Sequence, residues 1–384
     1  MTRKWKRVSA IVAAVGLAVV LVGIAGWQLL LRYFTQQYYR QEYQPIQLTA
    51  SIIDEFPAEH HLVDVPWIAA AFPTCQSVSL QMIAAQRGIK HSLGHYDFLM
   101  GFTYGASELP GAGFTPFGTD PETGMNVAAP YLGLLRHYYV TDDADLYRDA
   151  LRYFLSQGYP VRVAVDMGTL YGFSEFTAHS EVLVGYNSDG FAYYETVCSA
   201  PATCEPGEHE PGQESLFISD TVLLDAVHAQ SKPLKYPWRY ALTIFEPGPT
   251  ATDLAPVWAQ NSLALIGGNP YGPKTGADAI DALAEQIEQR GRRFDTTTIE
   301  TGIEIAAITR PNNAAYLREA FADDEDILQA AALFDQAAAA YRAIQPFVAG
   351  GIGNQEEAAQ IAINLREAAA AERQAGEIFR ERSK

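Results

Sequence analysis

Around the stretch Phe72-Pro-Thr-Cys-Gln-Ser-Val-Ser-Leu-Gln-Met-Ile-Ala-Ala-Gln86 the rest of this chain is organised. The proline biases the backbone before it away from helix, and the apolar residues that follow recur at helical spacing, at Val78, Met82 and Ala85. We therefore predict that a helix begins at Cys75. The unpaired N–H groups and the positive dipole end of a helix start favour the thiolate, which is the nucleophilic form of cysteine.

Cys75 needs a partner, because a cysteine is more often a buried core residue than a nucleophile. His179 stands at the head of a strand-like run, Ala178-His-Ser-Glu-Val-Leu-Val-Gly-Tyr186. A thiol at a helix start and an imidazole on a strand form the arrangement that supports covalent acyl chemistry. The two residues together predict a cysteine-dependent site.

The composition excludes several kinds of partner. The chain has 384 residues, 48% of them hydrophobic, and a formal net charge of −18. This length favours two domains with an accessory segment. The acidity argues against nucleic acid as a partner.

The segment after residue 100 is rich in glycine and lacks the phosphate-binding pattern GxxxxGK[ST]. Its glycines predict either a close approach of the backbone to a substrate or a long surface connection. We expect no cofactor.

The N-terminus departs from this acidity. Four basic residues, Arg3, Lys4, Lys6 and Arg7, precede an apolar run over residues 8–31. Such a run is long enough to cross a bilayer and longer than the apolar region of a signal peptide, although small residues at 23–25 also suit cleavage. The basic flank predicts a cytoplasmic N-terminus. We predict a transmembrane anchor over 1–33, a juxtamembrane stalk over 34–55 and an extracytoplasmic body held at the cell membrane.

Helical patterns precede strand patterns in the next part of the chain. The turn Asn187-Ser-Asp-Gly190 lies between two β-rich runs and indicates a hairpin, in which Asp189 serves the turn. This order predicts an α+β domain over residues 56–245. Alanine-rich amphipathic patterns then predict a helical bundle over 246–384, after a breaker of Pro and Gly at 246–250.

The other two cysteines lie close together in a loop rich in Pro and Gly. Cys198 and Cys204 suit a disulfide in an oxidising compartment, which leaves Cys75 as the unpaired thiol. A zinc site built from this pair and His209 would lack a fourth ligand. We therefore expect no metal.

Short motifs around the cysteine and after the histidine carry a family resemblance. They are Val65-Pro-Trp-Ile68, Thr74-Cys75 with Leu80, Met82 and Gly88, and His179 with Val182, Val184, Gly185 and Tyr186. The chain resembles the bacteriocin-leader-peptidase-like branch of the papain superfamily. Within the superfamily it most resembles the N-terminal family of butirosin biosynthesis protein H, whose cysteine is followed by a segment like Phe98-Leu-Met-Gly-Phe-Thr-Tyr-Gly105. The tail resembles the helical domain often found behind that family.

The resemblance implies a papain-like fold and a role for three side chains. Cys75 would be the nucleophile, and His179 the base that takes its proton and later protonates the leaving group. Such families usually carry Asp on the partner strand of the hairpin to orient the imidazole. This chain has Glu195 there, which carries the same charge on a longer side chain.

Two positions depart from the peptidase pattern. That branch usually has an oxyanion-binding Gln about six residues before the cysteine and Gly after it, whereas this chain has Ala69 and Gln76. Losing an oxyanion donor typically lowers the rate by about 10²–10³. Either Gln76 or a backbone N–H substitutes, or hydrolysis is not the function. Glu181, on the strand face of His179, either lines the pocket and favours an amine-bearing substrate or reaches solvent at a sheet edge.

We therefore expect a membrane-anchored enzyme that forms a thioester on Cys75 and passes the acyl group to an amine or to water. It would act as an acyltransferase or as a peptidase or amidase, on peptide or acyl-thioester substrates. The alternative is an inactive papain-like domain that binds peptide or carbohydrate, which Ala69 and Glu195 favour. A distance of about 4 Å or less between the Cys75 sulfur and the His179 imidazole, in a shared cleft, would favour the enzyme. Separated or buried side chains would favour the binding domain.

Overall fold

The computed structural model describes residues 22–24, 26, 27, 30, 33–71, 74–109, 113–198, 207–209, 212, 215–268 and 274–384. The chain divides into two compact units, Met1–Pro45 and Ile46–Lys384. In the first unit, residues 33–43 are helical.

The predicted transmembrane helix is corrected by the structure. No helix among the described residues is both long and apolar enough to cross a membrane. The described helical stretch at 33–43 carries Gln36, Gln37, Arg40 and Glu42, which do not suit a hydrocarbon environment. Most of the predicted anchor, including residues 1–21, lies outside the described residues. The described residues have an α+β fold, and the predicted membrane helix is not among their helices.

The strands of the second unit are β1 (Ile46–Gln47), β2 (His60–His61), β3 (Trp67–Ala69), β4 (Ser107–Leu109), β5 (Gly113–Thr115), β6 (Leu134–Thr141), β7 (Val161–Asp166), β8 (Ala178–Tyr186), β9 (Gly190–Tyr194), β10 (Gly207–His209), β11 (Leu216–Ser219) and β12 (Tyr240–Pro247). The longest of these strands are β6, β8 and β12.

The helices of this unit begin with the predicted cysteine helix. They are α1 (Cys75–Gln86), α2 (Leu93–Met100), α3 (Pro121–Ala128), α4 (Ala144–Ser156), α5 (Met167–Tyr171), α6 (Asp220–Ser231), α7 (Ala255–Ile266), α8 (Gly276–Arg290), α9 (Glu300–Ala320), α10 (Glu325–Gly350) and α11 (Gln355–Arg382). The start of α1 at Cys75 confirms the sequence prediction.

The main sheet has the strand order β1-β6-β12-β7-β8-β9-β11, with β2 added beside β8. The pair β1–β6 is parallel, whereas the other pairs are antiparallel. Because β1 joins this sheet, the second half of the predicted stalk belongs to the folded body. The predicted hairpin is confirmed as β8–β9, and α1 packs against β8. The nucleophile helix and the histidine strand are therefore neighbours.

The two predicted domains on either side of residue 246 lie within one compact unit. Their residues share a hydrophobic core in which Phe98 of α2 packs edge-on against Trp258 of α7, with ring centroids 4.7 Å apart. Phe379 of α11 lies 4.9 Å from the same indole. Helices α7 and α9 pack against α2, and α2 packs against α1. The helical part therefore supports the helix of Cys75 through α2.

Arg310 of α9 ties the glycine-rich segment to the helical part. Its fully buried guanidinium donates to both carboxylate oxygens of Glu372, at 2.8 and 3.2 Å. It also donates to the carbonyls of Thr103, Gly105 and Pro116, at 2.9, 2.5 and 2.9 Å. One side chain thus satisfies three loop carbonyls that burial removes from water.

The glycines in this segment serve close packing inside the protein. A Cβ added at Gly105, whose φ is +87°, would lie 2.0 Å from the carbonyl oxygen of Ala264 on α7. The described part of the segment is therefore neither an exposed connection nor a demonstrated substrate cradle. Its backbone is pressed against the helical part, which only glycine permits at this distance.

Candidate active site

Cys75 is the first residue of α1, and its side chain is almost sealed from solvent, with 6% exposed. Thr74 at the cap position makes no side-chain capping bond. The first backbone N–H groups of the helix are thus not satisfied by a side-chain cap, and they stay available to an anionic group at this end of the helix.

His179 lies between the thiol and a carboxylate. The Cys75 thiol interacts with the His179 imidazole and contributes to the raised pKa of that ring. His179 Nε2 lies 2.5 Å from Oε1 of Glu195, which leaves Nδ1 as the nitrogen that can exchange a proton with the sulfur. The predicted Cys75, His179 and Glu195 therefore belong to one cluster.

The hairpin register explains why these side chains meet. Strands β8 and β9 pair Val182 with Tyr194, so Glu195 follows directly opposite Glu181. Residues two apart on a strand share a face, which places His179 diagonally across from Glu195. An Asp in this position would be one carbon shorter, and Glu195 spans the diagonal with its longer side chain.

Glu195 is held ionised by several donors. Tyr171 donates its hydroxyl to Oε2, and the backbone N–H of Val197 donates to Oε1 at 3.0 Å. Burial acts to raise the pKa of Glu195, but the hydrogen bond and positive charge of His179, together with the Tyr171 bond, outweigh it and lower the pKa to about 2. Glu195 therefore offers a full negative charge to the imidazole.

The electrostatics of His179 suit an imidazolium. Burial acts to lower its pKa, but the attraction of Glu181 and the hydrogen bond with Cys75 outweigh that effect and raise the pKa well above its ordinary value. A thiolate facing an imidazolium is the ion pair that activates a cysteine nucleophile.

Glu181 belongs to the same cluster and does not reach solvent at a sheet edge. Only 2% of it is exposed, and its Oε1 lies 3.1 Å from His179 Nε2. That nitrogen donates its proton to Glu195, so neither oxygen of Glu181 has a hydrogen-bond partner. Burial and the neighbouring charge of Glu195 raise the pKa of Glu181 well above its ordinary value. Direct contact with a substrate amine stays a prediction.

Gln76 is oriented by a buried arginine that the sequence analysis did not single out. Arg162 of β7 donates to Oε1 of Gln76 at 2.5 Å and to Oγ of Ser180 at 3.0 Å. Ser180 Oγ in turn lies 2.8 Å from Oγ of Ser79, which donates to the carbonyl of Cys75. Arg162 thus fixes the first turn of α1 against the strand that carries His179. The sequence signal that could have identified this residue is a single Arg inside the apolar run at 161–165.

Glu122 balances this buried charge. Its two carboxylate oxygens accept from Arg162 and from Arg136, and all three side chains are at most 4% exposed. Burial acts to raise the pKa of Glu122, but the two guanidinium groups outweigh it and lower the pKa. The cluster therefore keeps one net positive charge beneath the nucleophile helix.

Asp97 is a second buried carboxyl beside α1. It lies on α2, and its Oδ1 accepts a 2.5 Å hydrogen bond from Ser77 on α1. Burial raises the pKa of Asp97 to about 7, and the Ser77 bond opposes this only in part. The buried Tyr104 hydroxyl, which has no hydrogen-bond partner, interacts with the same carboxyl.

Replacing Asp97 by Asn is expected to remove one source of pH dependence. Between about pH 4, near which an unfolded Asp titrates, and about pH 7 the folded protein keeps a proton that the unfolded chain releases. The free energy of unfolding therefore falls as the pH rises through this window. In urea unfolding, the wild type should lose about 2–3 kcal/mol more than Asp97→Asn between pH 5 and 8. Equal losses in the two proteins would contradict this assignment.

Other predicted residues lie outside the cluster. Asp189 sits in the hairpin turn, where its N–H donates to Oδ1 of Asn187 at 2.8 Å. Ala69 lies on β3 and pairs with Gly207 of β10. Cys75 is a free thiol. The predicted disulfide between Cys198 and Cys204 stays a prediction, because Cys204 lies outside the described residues.

No protein-family model matches the chain, and no curated protein matches its sequence. The resemblance to the papain superfamily therefore remains a prediction from the motifs.

Proposed function

We propose that the chain is a cysteine-dependent acyl-transfer enzyme. The observation that carries this proposal is that one imidazole interacts with a thiol at a helix start and is hydrogen-bonded to a buried carboxylate. An acyl-thioester or peptide substrate fits this chemistry, because both present a carbonyl carbon to a thiolate.

The reaction would run in two halves. The Cys75 thiolate attacks the carbonyl carbon, forming a C–S bond, and the substrate's bond to its leaving group breaks as His179 protonates that group. His179 then takes a proton from an amine or from water, which attacks the thioester and releases the thiolate. Glu195 acts as a positioning residue that stabilises the imidazolium throughout.

The oxyanion of the tetrahedral intermediate needs donors, and Ala69 supplies none. The backbone N–H of Cys75 stands at the uncapped start of α1 and supports this role. Arg162 engages the amide oxygen of Gln76, so the NH₂ group of that side chain is the part left to donate.

A second candidate function is a binding domain that keeps the pocket without catalysis. The burial of the three side chains favours it, since Cys75, His179 and Glu195 are 6%, 3% and 0% exposed. Catalysis requires that a substrate carbonyl reach the sulfur, so accessibility of Cys75 separates the two functions.

Alkylation by iodoacetamide at pH 6 tests the proposal. An ordinary thiol is almost fully protonated at that pH, whereas a thiolate paired with an imidazolium reacts. We expect peptide mass spectrometry to locate alkylation at Cys75 in the folded protein, at least about tenfold faster than in His179→Gln. Cys75→Ser provides the blank.

Two results would overturn the catalytic proposal. The first is a Cys75 that stays unmodified in the folded protein but reacts after unfolding in urea, which would favour the binding domain. The second is an equal alkylation rate in wild type and His179→Gln, which would show that the imidazole does not activate the sulfur.

A further inference from the structure

We propose that His179, Glu181 and Glu195 form a binding site for a divalent cation of the zinc type. Cation binding at these three side chains does not depend on the proposed acyl-transfer function.

The donor atoms are close enough to share one ion. Nε2 of His179 and one oxygen from each of Glu181 and Glu195 all lie within 4.8 Å of one another. Zinc binds such atoms at about 2.0–2.2 Å, so tetrahedral ligands lie about 3.3 Å apart. The separation of 3.1 Å between Nε2 and Glu181 is close to this value already. The Oε1 atom of Glu195 lies 2.5 Å from Nε2 and would need to move away from it by less than about 1 Å.

Glu181 supplies an independent reason to expect a ligand. Only 2% of Glu181 is exposed to solvent, and neither oxygen of its carboxyl has a hydrogen-bond partner. Among the described side chains, neither Glu181 nor Glu195 forms an ion pair with Lys or Arg. A buried carboxyl without partners is unfavourable, and a cation between the two carboxylates would satisfy it.

The donor set selects the class of cation. One imidazole nitrogen with two carboxylate oxygens suits zinc and its first-row neighbours, whereas calcium and magnesium require oxygen ligands in larger number. The group of ligand atoms within 4.8 Å of one another does not include the Cys75 sulfur, so Cys75 is not a ligand of this site. The fourth position would be open to water, as in zinc sites with three protein ligands.

Cobalt(II) absorption tests binding without reference to activity. Full-length protein, stripped of metal with a chelator, is titrated with Co²⁺, and its visible ligand-field bands report coordination. Wild type and Cys75→Ser should bind one equivalent, and Zn²⁺ should abolish the bands. Glu181→Gln should weaken binding at least about tenfold. The matched control is Glu246→Gln, which removes the carboxylate of another His–Glu pair, 3.1 Å from His137.

Each outcome separates the two proposals. Absence of the bands in wild type, or their loss in Cys75→Ser, would overturn the cation site, because the second result would place the ion on the sulfur. Failure of Cys75 alkylation in metal-free protein would instead overturn the catalytic proposal and leave the Co²⁺ result standing.

Discussion

Glu195→Gln should react with a chromogenic ester or thioester about 10²–10⁴-fold more slowly than the wild type, measured as the single-turnover rate of Cys75 acylation. The 2.5 Å contact between His179 Nε2 and Glu195 holds the ring orientation and leaves Nδ1 as the nitrogen that can exchange a proton with the sulfur. Glutamine can present an NH₂ group to Nε2, which favours the wrong tautomer and removes the charge that stabilises the imidazolium. A comparable change in another triad lowers the rate by about 10⁴.

The control for this prediction is a second His–Glu contact on the same sheet. Glu246 of β12 lies 3.1 Å from Nε2 of His137 on β6 and is partly exposed. Glu246→Gln should acylate at the wild-type rate. Equal rates for Glu195→Gln and wild type, with both proteins folded by circular dichroism, would show that Glu195 does not position the imidazole.

Arg310→Met should lower the free energy of unfolding by about 3–5 kcal/mol in urea titrations. Arg310 and Glu372 are both fully buried, and removing the guanidinium leaves a carboxylate without its cation. Tyr341 alone would still donate to Glu372, at 3.1 Å. The carbonyls that Arg310 binds in the glycine-rich segment would also lose a donor, which adds to the loss.

Arg318→Met on the same helix provides the comparison. Arg318 pairs with Asp335 at 2.5 Å, but both side chains are nearly half exposed. Exposed pairs contribute about 0–1 kcal/mol, so this variant should unfold almost as the wild type does. If Arg310→Met fails to fold, Arg310→Lys retains the charge without the planar fork and should still lose more stability than Arg318→Met. Similar losses at positions 310 and 318 would contradict the assigned role.

Local patterns were sufficient to place the candidate nucleophile and its base. The proline before Cys75 and the helical spacing after it predict where α1 begins, and the structure has that start at the same residue. The turn at 187–190 predicts the β8–β9 hairpin, whose register puts Glu195 on the face of His179. These features depend on residues near one another in the chain, which is why sequence reasoning reached them.

Contacts between distant residues were not predicted. Arg162 contacts Gln76 across 86 positions of sequence, and Tyr171 reaches Glu195 across 24. Nothing in the spacing of these residues indicates the pairing, because it follows from how α1, β7 and α5 pack. The predicted membrane helix has a different outcome, because no helix among the described residues is long and apolar enough to cross a bilayer and most of residues 8–31 lies outside that part of the chain.

The amino-acid sequence by itself determined where the thiol, the imidazole and the third carboxyl stand in their helix and strands, because helix starts and hairpin registers follow from short-range backbone preferences. Only the tertiary structure decided that Glu181 is buried without a hydrogen bond, that Arg162 orients Gln76 and that Cys75 is nearly closed to solvent. Burial and charge depend on which distant elements pack together, so they are properties of the assembled fold.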